Sequence, residues 1–184
     1  TLYGWGNPLT YIENNGGTLT VSKQNSRAME VDEPINTSLH ISNKGNIILN
    51  EQMTVGMEAR GAQIINTADV TNHNSYISND GTIIGNAGFR NQSGFSVGAD
   101  GSVAGTLVHM RNSGNIIMNS PESIGIQLRP DVNSIVMQGT NEGTITINGY
   151  RSYGMMTTPG QSSGFYNQDP TIRSEERRVG KECL

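Results

Sequence analysis

The sequence predicts an all-β fold, a parallel β-solenoid in which each repeat forms one coil, and three observations predict it. A five-residue motif, Asn-x-Gly-(Asn/Thr)-Ile, starts at residues 43, 79, 112 and 141, with a weaker copy at residue 15. Neighbouring copies start 28 to 36 residues apart. A second motif, Ser/Thr-x-Gly/Ala-Met/Ile, follows four of the five copies at an offset of 11 residues. Self-similarity at this period is typical of solenoids.

The first motif defines the structural repeat. Its Asn, Gly and Ile positions are Asn43, Gly45 and Ile47; Asn79, Gly81 and Ile83; Asn112, Gly114 and Ile116; and Asn141, Gly143 and Ile145. We expect the glycines to adopt positive φ at a corner and the isoleucines to stack in one interior column. Two interpretations of the asparagines stay open: they form an amide ladder between coils, or they serve only the turn.

Short strands are indicated by apolar residues at every second position. One such pair follows the first motif (Ile47 and Leu49), and another follows the second motif (Met57 and Ala59). A looser third segment precedes each Asn, which gives two or three strands per repeat. A hairpin meander also uses short alternating strands, but equivalent residues in every copy favour parallel stacking. We expect a parallel β-helix of about five repeats of 28–36 residues, incomplete at both ends.

Differences in repeat length predict loops. In the third repeat Gln92 lies 13 residues after Asn79, which indicates two inserted residues. The repeats of 36 and 33 residues predict extra loops near residues 61–74 and 99–105. Because loops carry recognition more often than their scaffold does, these two are candidate contact regions.

The composition restricts the class of protein. Only 34% of residues are hydrophobic and 15% are charged, which is low for a globular domain but sufficient for a narrow solenoid interior. A formal net charge of −4 argues against nucleic acid as a partner. The sequence has no apolar run long enough to span a membrane. Because the chain starts without Met and shows no signal peptide, we interpret it as an interior fragment of a longer protein.

The last twelve residues differ from the rest. Residues 173–184 are rich in charged residues and contain the only cysteine, Cys183. An interaction tail is one interpretation. A more specific interpretation is that this segment resembles the conceptual translation of a common short-read sequencing adapter, which begins Arg-Ser-Glu-Glu. We therefore divide the chain into a solenoid fragment, 1–172, and a non-native tail, 173–184, and we expect the tail to lack strand pairing with the last coil.

The two-part motif resembles the passenger domains of bacterial type V autotransporters, especially large adhesin-like ones. The resemblance covers roughly residues 12–158 and is carried by both motifs, for example 43–49 with 54–59 and 112–118 with 123–128. It implies a right-handed parallel β-helix that is displayed at the cell surface by a C-terminal outer-membrane β-barrel in the full-length protein. It also implies a virulence-associated adhesin or stalk that attaches to a receptor on host cells or on other bacteria.

The alternative function is a β-helix polysaccharide lyase or glycosidase, which needs clustered carboxylates. Outside the tail, the only adjacent acidic pair is Asp32 and Glu33 beside a proline, and we interpret it as a solvated turn. His40 and His109 share a repeat phase but lie on non-adjacent coils, so we expect surface positions rather than a metal site. A single glycine-rich turn at residues 98–101 is too little for a calcium repeat. We predict no catalytic, cofactor-binding or metal-binding residue, and no enzyme.

One exposed column is a candidate contact surface. The outward positions after the first motif hold Ile48, Ile84 and Ile117 in three consecutive repeats, with threonine in the first and last. Exposed apolar stripes often mark binding sites. The plainer interpretation is that β-branched residues favour strands, or that a loop covers the column. An ice-binding surface would need threonine in every coil.

Overall fold

The computed structural model describes residues 9–32, 38–60, 76–98, 107–129, 136–157, 163–167 and 171–174. These residues form 17 strands in three sheets, and every strand pairing is parallel. Each repeat contributes one strand to each sheet. The predicted all-β parallel solenoid is therefore confirmed, with three strands per coil, and the meander is excluded.

The three sheets run along the solenoid. Sheet A contains β1 (Leu9–Asn14), β4 (Ser38–Asn43), β7 (Tyr76–Asn79), β10 (Leu107–Asn112), β13 (Val136–Asn141) and β16 (Ser163–Asn167). Sheet B contains β2 (Thr18–Val21), β5 (Asn46–Leu49), β8 (Thr82–Gly85), β11 (Asn115–Met118), β14 (Thr144–Ile147) and β17 (Thr171–Ser174). Sheet C contains β3 (Arg27–Asp32), β6 (Val55–Arg60), β9 (Ser93–Gly98), β12 (Ile124–Arg129) and β15 (Tyr153–Thr157).

The predicted isoleucine column lies in the core. Ile47, Ile83, Ile116 and Ile145 are successive register partners in sheet B, and all four are fully buried. Columns from sheets A and C complete the interior, and their buried members include Ile41, Ile77 and Met110, and Met57, Phe95 and Ile126. One repeat therefore forms one coil, as predicted.

The motif asparagines form an amide ladder through the interior. Asn43 Nδ2 donates to Asn79 Oδ1, Asn79 to Asn112, and Asn112 to Asn141, each at 2.7 Å. All four are completely buried. Each Nδ2 also donates within its own turn to the carbonyl of the motif glycine, as Asn43 does to Gly45 at 3.1 Å. The ladder interpretation is confirmed, and the same side chains also stabilise the turn.

The motif glycines are needed for a different reason from the one predicted. Among the described glycines only Gly16 and Gly88 have positive φ, so the expectation of positive φ at Gly45, Gly81, Gly114 and Gly143 is wrong. Instead, a Cβ on any of these four would come closer than 3.0 Å to the glycine carbonyl oxygen of the preceding coil. Close approach between neighbouring backbones excludes a side chain here.

The corner between sheets B and C contains the left-handed backbone that the sequence analysis missed. Five non-glycine residues there have φ between 54° and 58°, one in each coil: Asn25, Met53, Asn91, Glu122 and Arg151. Each directly precedes the first residue of the second motif. Only two of the five are asparagine, the residue type that tolerates this conformation best, so the residue types gave no consistent signal.

The third coil accommodates its two extra residues at this corner. The register pairs Val55 with Ser93, so two more residues lie between β8 and β9 than between β5 and β6, as predicted. The buried Gln92 side chain occupies the widened corner. Its Nε2 donates to the carbonyls of Leu49 and Glu51 at 3.0 and 2.9 Å, and its Oε1 accepts from Ser120 Oγ at 2.6 Å. Gln92 therefore links the widened corner to both neighbouring coils, whereas Ala87, Gly88, Arg90 and Asn91 of that corner are exposed.

The ends of the stack require three corrections. First, Asn14 rather than Asn15 pairs with Asn43 and donates to it at 2.8 Å, so the first coil has one extra residue in its turn. Second, β16 and β17 add two strands of a sixth coil to the five that were predicted. Asn167 pairs with Asn141, and Ile172 pairs with Ile145. Pro170 replaces the motif glycine and hides this copy in the sequence.

Third, strand pairing enters the predicted tail. Arg173 and Ser174 pair with Thr146 and Ile147, so the expectation that 173–184 lack pairing is wrong for these two residues. Backbone ladders can extend past Ile172 because they do not depend on side-chain identity. Residues 175–184 lie outside the described residues, and the boundary at 172/173 stays a prediction. The predicted loops at 61–74 and 99–105 also lie outside the described residues, between β6 and β7 and between β9 and β10.

Candidate functional site

The outer face of sheet B carries the predicted contact column. Thr20, Ile48, Ile84, Ile117 and Thr146 are successive register partners in five coils. The three isoleucines are partly buried, whereas Thr20 is exposed. The structure thus brings the three predicted residues together in one column. Their role in contact stays a prediction.

A second outward column lies beside the first. Its members are Thr18, Asn46, Thr82, Asn115 and Thr144, again in register. None of these ten outward positions is charged, although 28 of the 184 residues are Lys, Arg, Asp or Glu. We call this set of ten positions the sheet B face. It combines methyl groups, hydroxyls and amides on a regular surface without net charge.

Ion pairs border the sheet B face at its corner with sheet A. Lys44 Nζ lies 2.6 Å from Glu13 Oε1, and Arg111 Nη2 lies 2.6 Å from Glu142 Oε2. Arg111 also lies 3.7 Å from Asp80. The hydrogen bond that Arg111 donates is the main reason why the pKa of Glu142 lies below its ordinary value. These exposed pairs contribute little stability but place charge along this border.

A second amide row borders the opposite edge. Asn86 Nδ2 donates to Asn50 Oδ1 at 2.6 Å, and Asn148 Nδ2 donates to Asn119 Oδ1 at 2.7 Å. These asparagines are partly buried or exposed. This row was not predicted, although Asn occurs three residues after the motif isoleucine in four copies. The sheet B face is therefore an uncharged surface over five coils with a polar rim on both sides, and Arg173 follows Thr146 in the sixth coil.

Sheet C carries a buried carboxylate on its outer face. Glu58 is only 2% exposed and forms ion pairs with Arg27 and Arg129, the latter at 2.8 Å. Arg129 also donates to Ser96 Oγ at 2.9 Å, so it reaches across two coils. No motif predicted this cluster, because Glu58 occupies an ordinary outward strand position. Both carboxylate oxygens of Glu58 are paired with arginines from other coils, so the cluster links the coils to one another.

The outer face of sheet A contains a small cavity in its first three coils. The cavity has a volume of about 230 Å³, and its lining includes Tyr11, Glu13, His40, Ser42 and Lys44. The Tyr11 and His40 rings are neighbours, with centroids 5.2 Å apart and planes tilted by 47°. The register places Tyr76 between His40 and His109, so the two histidines lie on non-adjacent coils, as predicted.

The remaining sequence-predicted chemistry is not assembled into a site. Asp32 ends β3 and pairs in register with Arg60, whereas Glu33 lies outside the described residues. Of the glycine-rich turn, only Gly98 is described, at the end of β9. Within the described ranges there is no group of three or more His, Cys, Asp or Glu residues suited to a metal ion. None of the described residues form a helix long and apolar enough to cross a membrane.

In comparisons with known proteins, no family model, no curated protein and no solved structure matches the chain. The resemblance to autotransporter passengers therefore depends on the motifs alone. The fold that the motifs predicted is shown by the strand register.

His40 predicts a pH effect on stability. Burial lowers the pKa of His40 below 6.5, and Lys44 lowers it further, while Glu13 partly opposes them. Because the unfolded chain binds the proton more tightly, stability should fall as the pH decreases through about 6.5, and be unaffected above it. Urea unfolding at pH 7.5 and 5.5 should show a larger loss for the wild type than for His40→Gln. An equal loss in both proteins would contradict this prediction.

Proposed function

We propose that this segment is an attachment scaffold of the autotransporter-passenger type, which presents the sheet B face to a receptor on host cells or other bacteria. The observation that carries the proposal is the sheet B face itself, five coils of uncharged outward positions with isoleucine at its centre. Protein interfaces are depleted of charge at their centre and have polar rims. The ion pairs and the outer amide row form such a rim. Cell-surface location is part of this proposal.

The size of the face determines how it would bind. Five strands about 4.8 Å apart and four residues long cover about 300 Å². A stable protein interface needs about 800 Å² from each partner. A single copy should therefore bind weakly, and attachment should depend on many copies acting together. A repeat architecture supplies such multivalency, because neighbouring coils present equivalent positions.

The alternative, a polysaccharide-degrading enzyme, receives less support from the described residues. Glu13 and Glu142 lie in ion pairs at the corner of sheets A and B, in the first and fifth coils, and Glu58 is buried in sheet C. Glycosidases need two carboxyl groups facing one another across a substrate. We therefore propose a non-enzymatic role that needs no cofactor. Release of new reducing ends from bacterial or plant polysaccharides by the purified chain would contradict it.

Multivalent attachment tests the proposal directly. Beads densely coated with the 184-residue chain are added to a cultured epithelial monolayer and to a lawn of Gram-negative bacteria. We expect attachment to at least one surface, and at least a tenfold loss when Ile48, Ile84 and Ile117 are all changed to Ser, because the apolar centre is lost.

The matched control carries three serines elsewhere, at the exposed positions Gln24, Met53 and Tyr153, and should attach like the wild type. Absence of attachment to both surfaces would overturn the attachment role. If attachment survives the isoleucine changes and is lost when residues 61–74 or 99–105 are replaced by Gly-Ser linkers, these segments, and not the sheet B face, make the contact. Attachment that survives all of these changes would identify the segment as a spacer.

A further inference from the structure

The cavity on sheet A is lined mainly by polar side chains. Ser42 and Ser78 line it and are only 5% and 3% exposed, although strand alternation places them opposite the buried Ile41 and Ile77. Their hydroxyls lie 3.3 Å apart, with Ser78 donating to Ser42. Within the described part of the chain, the hydroxyl hydrogen of Ser42 has no acceptor. A ligand oxygen in the cavity would satisfy it.

The wall of the cavity supplies an aromatic surface. Tyr11 is 58% exposed, and its ring lies beside that of His40. An exposed aromatic ring beside buried hydroxyls suits a ligand that has one apolar face and several hydroxyl groups. A purely apolar ligand would leave the floor hydroxyls unsatisfied, which costs free energy.

The charges around the cavity favour a neutral ligand. Glu13 and Lys44 neutralise each other at 2.6 Å. The lowered pKa of His40 leaves its imidazole uncharged at neutral pH. An ionic ligand would have to compete with the Glu13–Lys44 pair, whereas sugar hydroxyls can donate to Glu13 and accept from Lys44 without separating the two.

We propose that this cavity binds one residue of a neutral saccharide, with its C–H face against Tyr11 and its hydroxyls toward Ser42, Ser78 and the Glu13–Lys44 pair. The inference deepens the proposed attachment function by naming a ligand class, and it depends on that function only for its biological role. The volume of about 230 Å³ is smaller than the roughly 300–1,000 Å³ of sites for drug-sized ligands, which suits a single sugar ring.

The register suggests how a longer glycan would lie. The positions of Tyr11, His40, Tyr76 and His109 form one row along the axis, on four successive strands of sheet A. Ring-bearing residues thus occupy this row in the first four coils, and Gln138 and Gly164 follow in the next two. A saccharide chain extending from the cavity along the axis would follow it.

Saturation-transfer NMR on the 184-residue chain tests the inference. The probes are the methyl glycosides of glucose, galactose, mannose and N-acetylglucosamine, together with methyl glucuronide as the anionic counterpart of the glucoside. We expect saturation transfer to at least one neutral glycoside, and a weaker signal for the glucuronide. Tyr11→Ala and Ser42→Ala should each weaken binding at least about fivefold, because each removes a direct contact. Tyr150→Ala, at a tyrosine that is 65% exposed elsewhere, should leave binding unchanged.

The inference would be overturned if no neutral glycoside showed saturation transfer. It would also be overturned if Tyr11→Ala left the transfer intact, or if Tyr150→Ala reduced it as much as Tyr11→Ala does. Preference for the glucuronide would overturn its neutral-ligand part. Circular dichroism and thermal melting establish that each variant is folded. Bead attachment without any glycoside signal would contradict the saccharide site alone, whereas glycoside binding without bead attachment would contradict the attachment function alone.

Discussion

Gly114→Ala is expected to destabilise the protein by about 3 kcal/mol or more, because the new methyl group has no space. Its Cβ would come closer than 3.0 Å to the carbonyl oxygen of Gly81 in the preceding coil. Backbone atoms cannot move away as a flexible side chain can, so the two coils must separate and strain their ladder hydrogen bonds. Urea unfolding followed by circular dichroism measures the loss.

Gly17→Ala is the matched control for this prediction. Gly17 occupies the same column in the first coil, but a Cβ there would meet only the Asn14 side chain, at 3.2 Å. We expect a change of less than about 1 kcal/mol, because a side-chain oxygen can shift by a few tenths of an ångström. Equal losses in the two variants would show that close approach between coils is not the reason for the glycine.

Asn79→Ala is expected to cost about 2–4 kcal/mol. The change removes the acceptor that Asn43 uses and the donor that Asn112 uses, and it leaves the Asn112 oxygen without its partner in a buried position. It also removes the bond from Asn79 Nδ2 to the Gly81 carbonyl, which closes the turn. The free energy of unfolding from urea titration at 25 °C measures the loss.

The control for this prediction is Asn148→Ala, which breaks an amide–amide hydrogen bond of the same length, 2.7 Å, at an exposed position. Water can replace that bond, so we expect a loss of at most about 0.5 kcal/mol. If Asn79→Ala lowered the free energy of unfolding no more than Asn148→Ala does, the buried ladder would contribute no more to stability than the exposed Asn148–Asn119 hydrogen bond.

The stacking of equivalent residues made most of the fold predictable from the sequence. Because register partners such as Ile116 and Ile145 carry the same residue, the motif spacing alone gave the coil length and the interior columns. The inserted pair near Gln92 was also predictable, since the second motif resumes after it. Alternation along each strand then placed Ile48 and Ile84 on the outer face.

Features that depend on distances between coils were not predictable in this way. A glycine at position 114 is compatible with either positive φ or close approach, and only the separation of the two backbones distinguishes them. The sixth coil was missed because Pro170 replaces glycine and one extra residue shifts the phase. The burial of Glu58 was not predictable either, because it depends on Arg27 and Arg129, which come from other coils and share no motif with it.

The cavity on sheet A illustrates the same limit. Ser42 and Ser78 both directly precede a motif Asn, so the repeat spacing predicts that they stack. Tyr11 lies three residues before Asn14, which was not recognised as the motif Asn of the first coil. Their proximity follows from the register between β1, β4 and β7. Residues of different types become neighbours only once the stack is known.

All of the proposed surfaces depend on one repeat forming one coil, and disulfide formation tests this most directly. Thr82 and Asn115 are register partners on the sheet B face, so their Cα atoms should lie about 4.8 Å apart. Disulfides form at Cα separations of about 4.4–6.8 Å. With Cys183→Ser as the background, Thr82→Cys combined with Asn115→Cys should therefore oxidise to an intramolecular disulfide in the folded protein.

The comparison is Asn46→Cys combined with Asn115→Cys, in the same column but two coils apart, with Thr82 between them. Their Cα atoms should be about 9–10 Å apart, too far for a disulfide. Mass spectrometry after mild oxidation should find the cross-link in the first pair and free thiols in the second. Free thiols in the first pair, or an equally efficient cross-link in the second, would contradict the stacked-coil register.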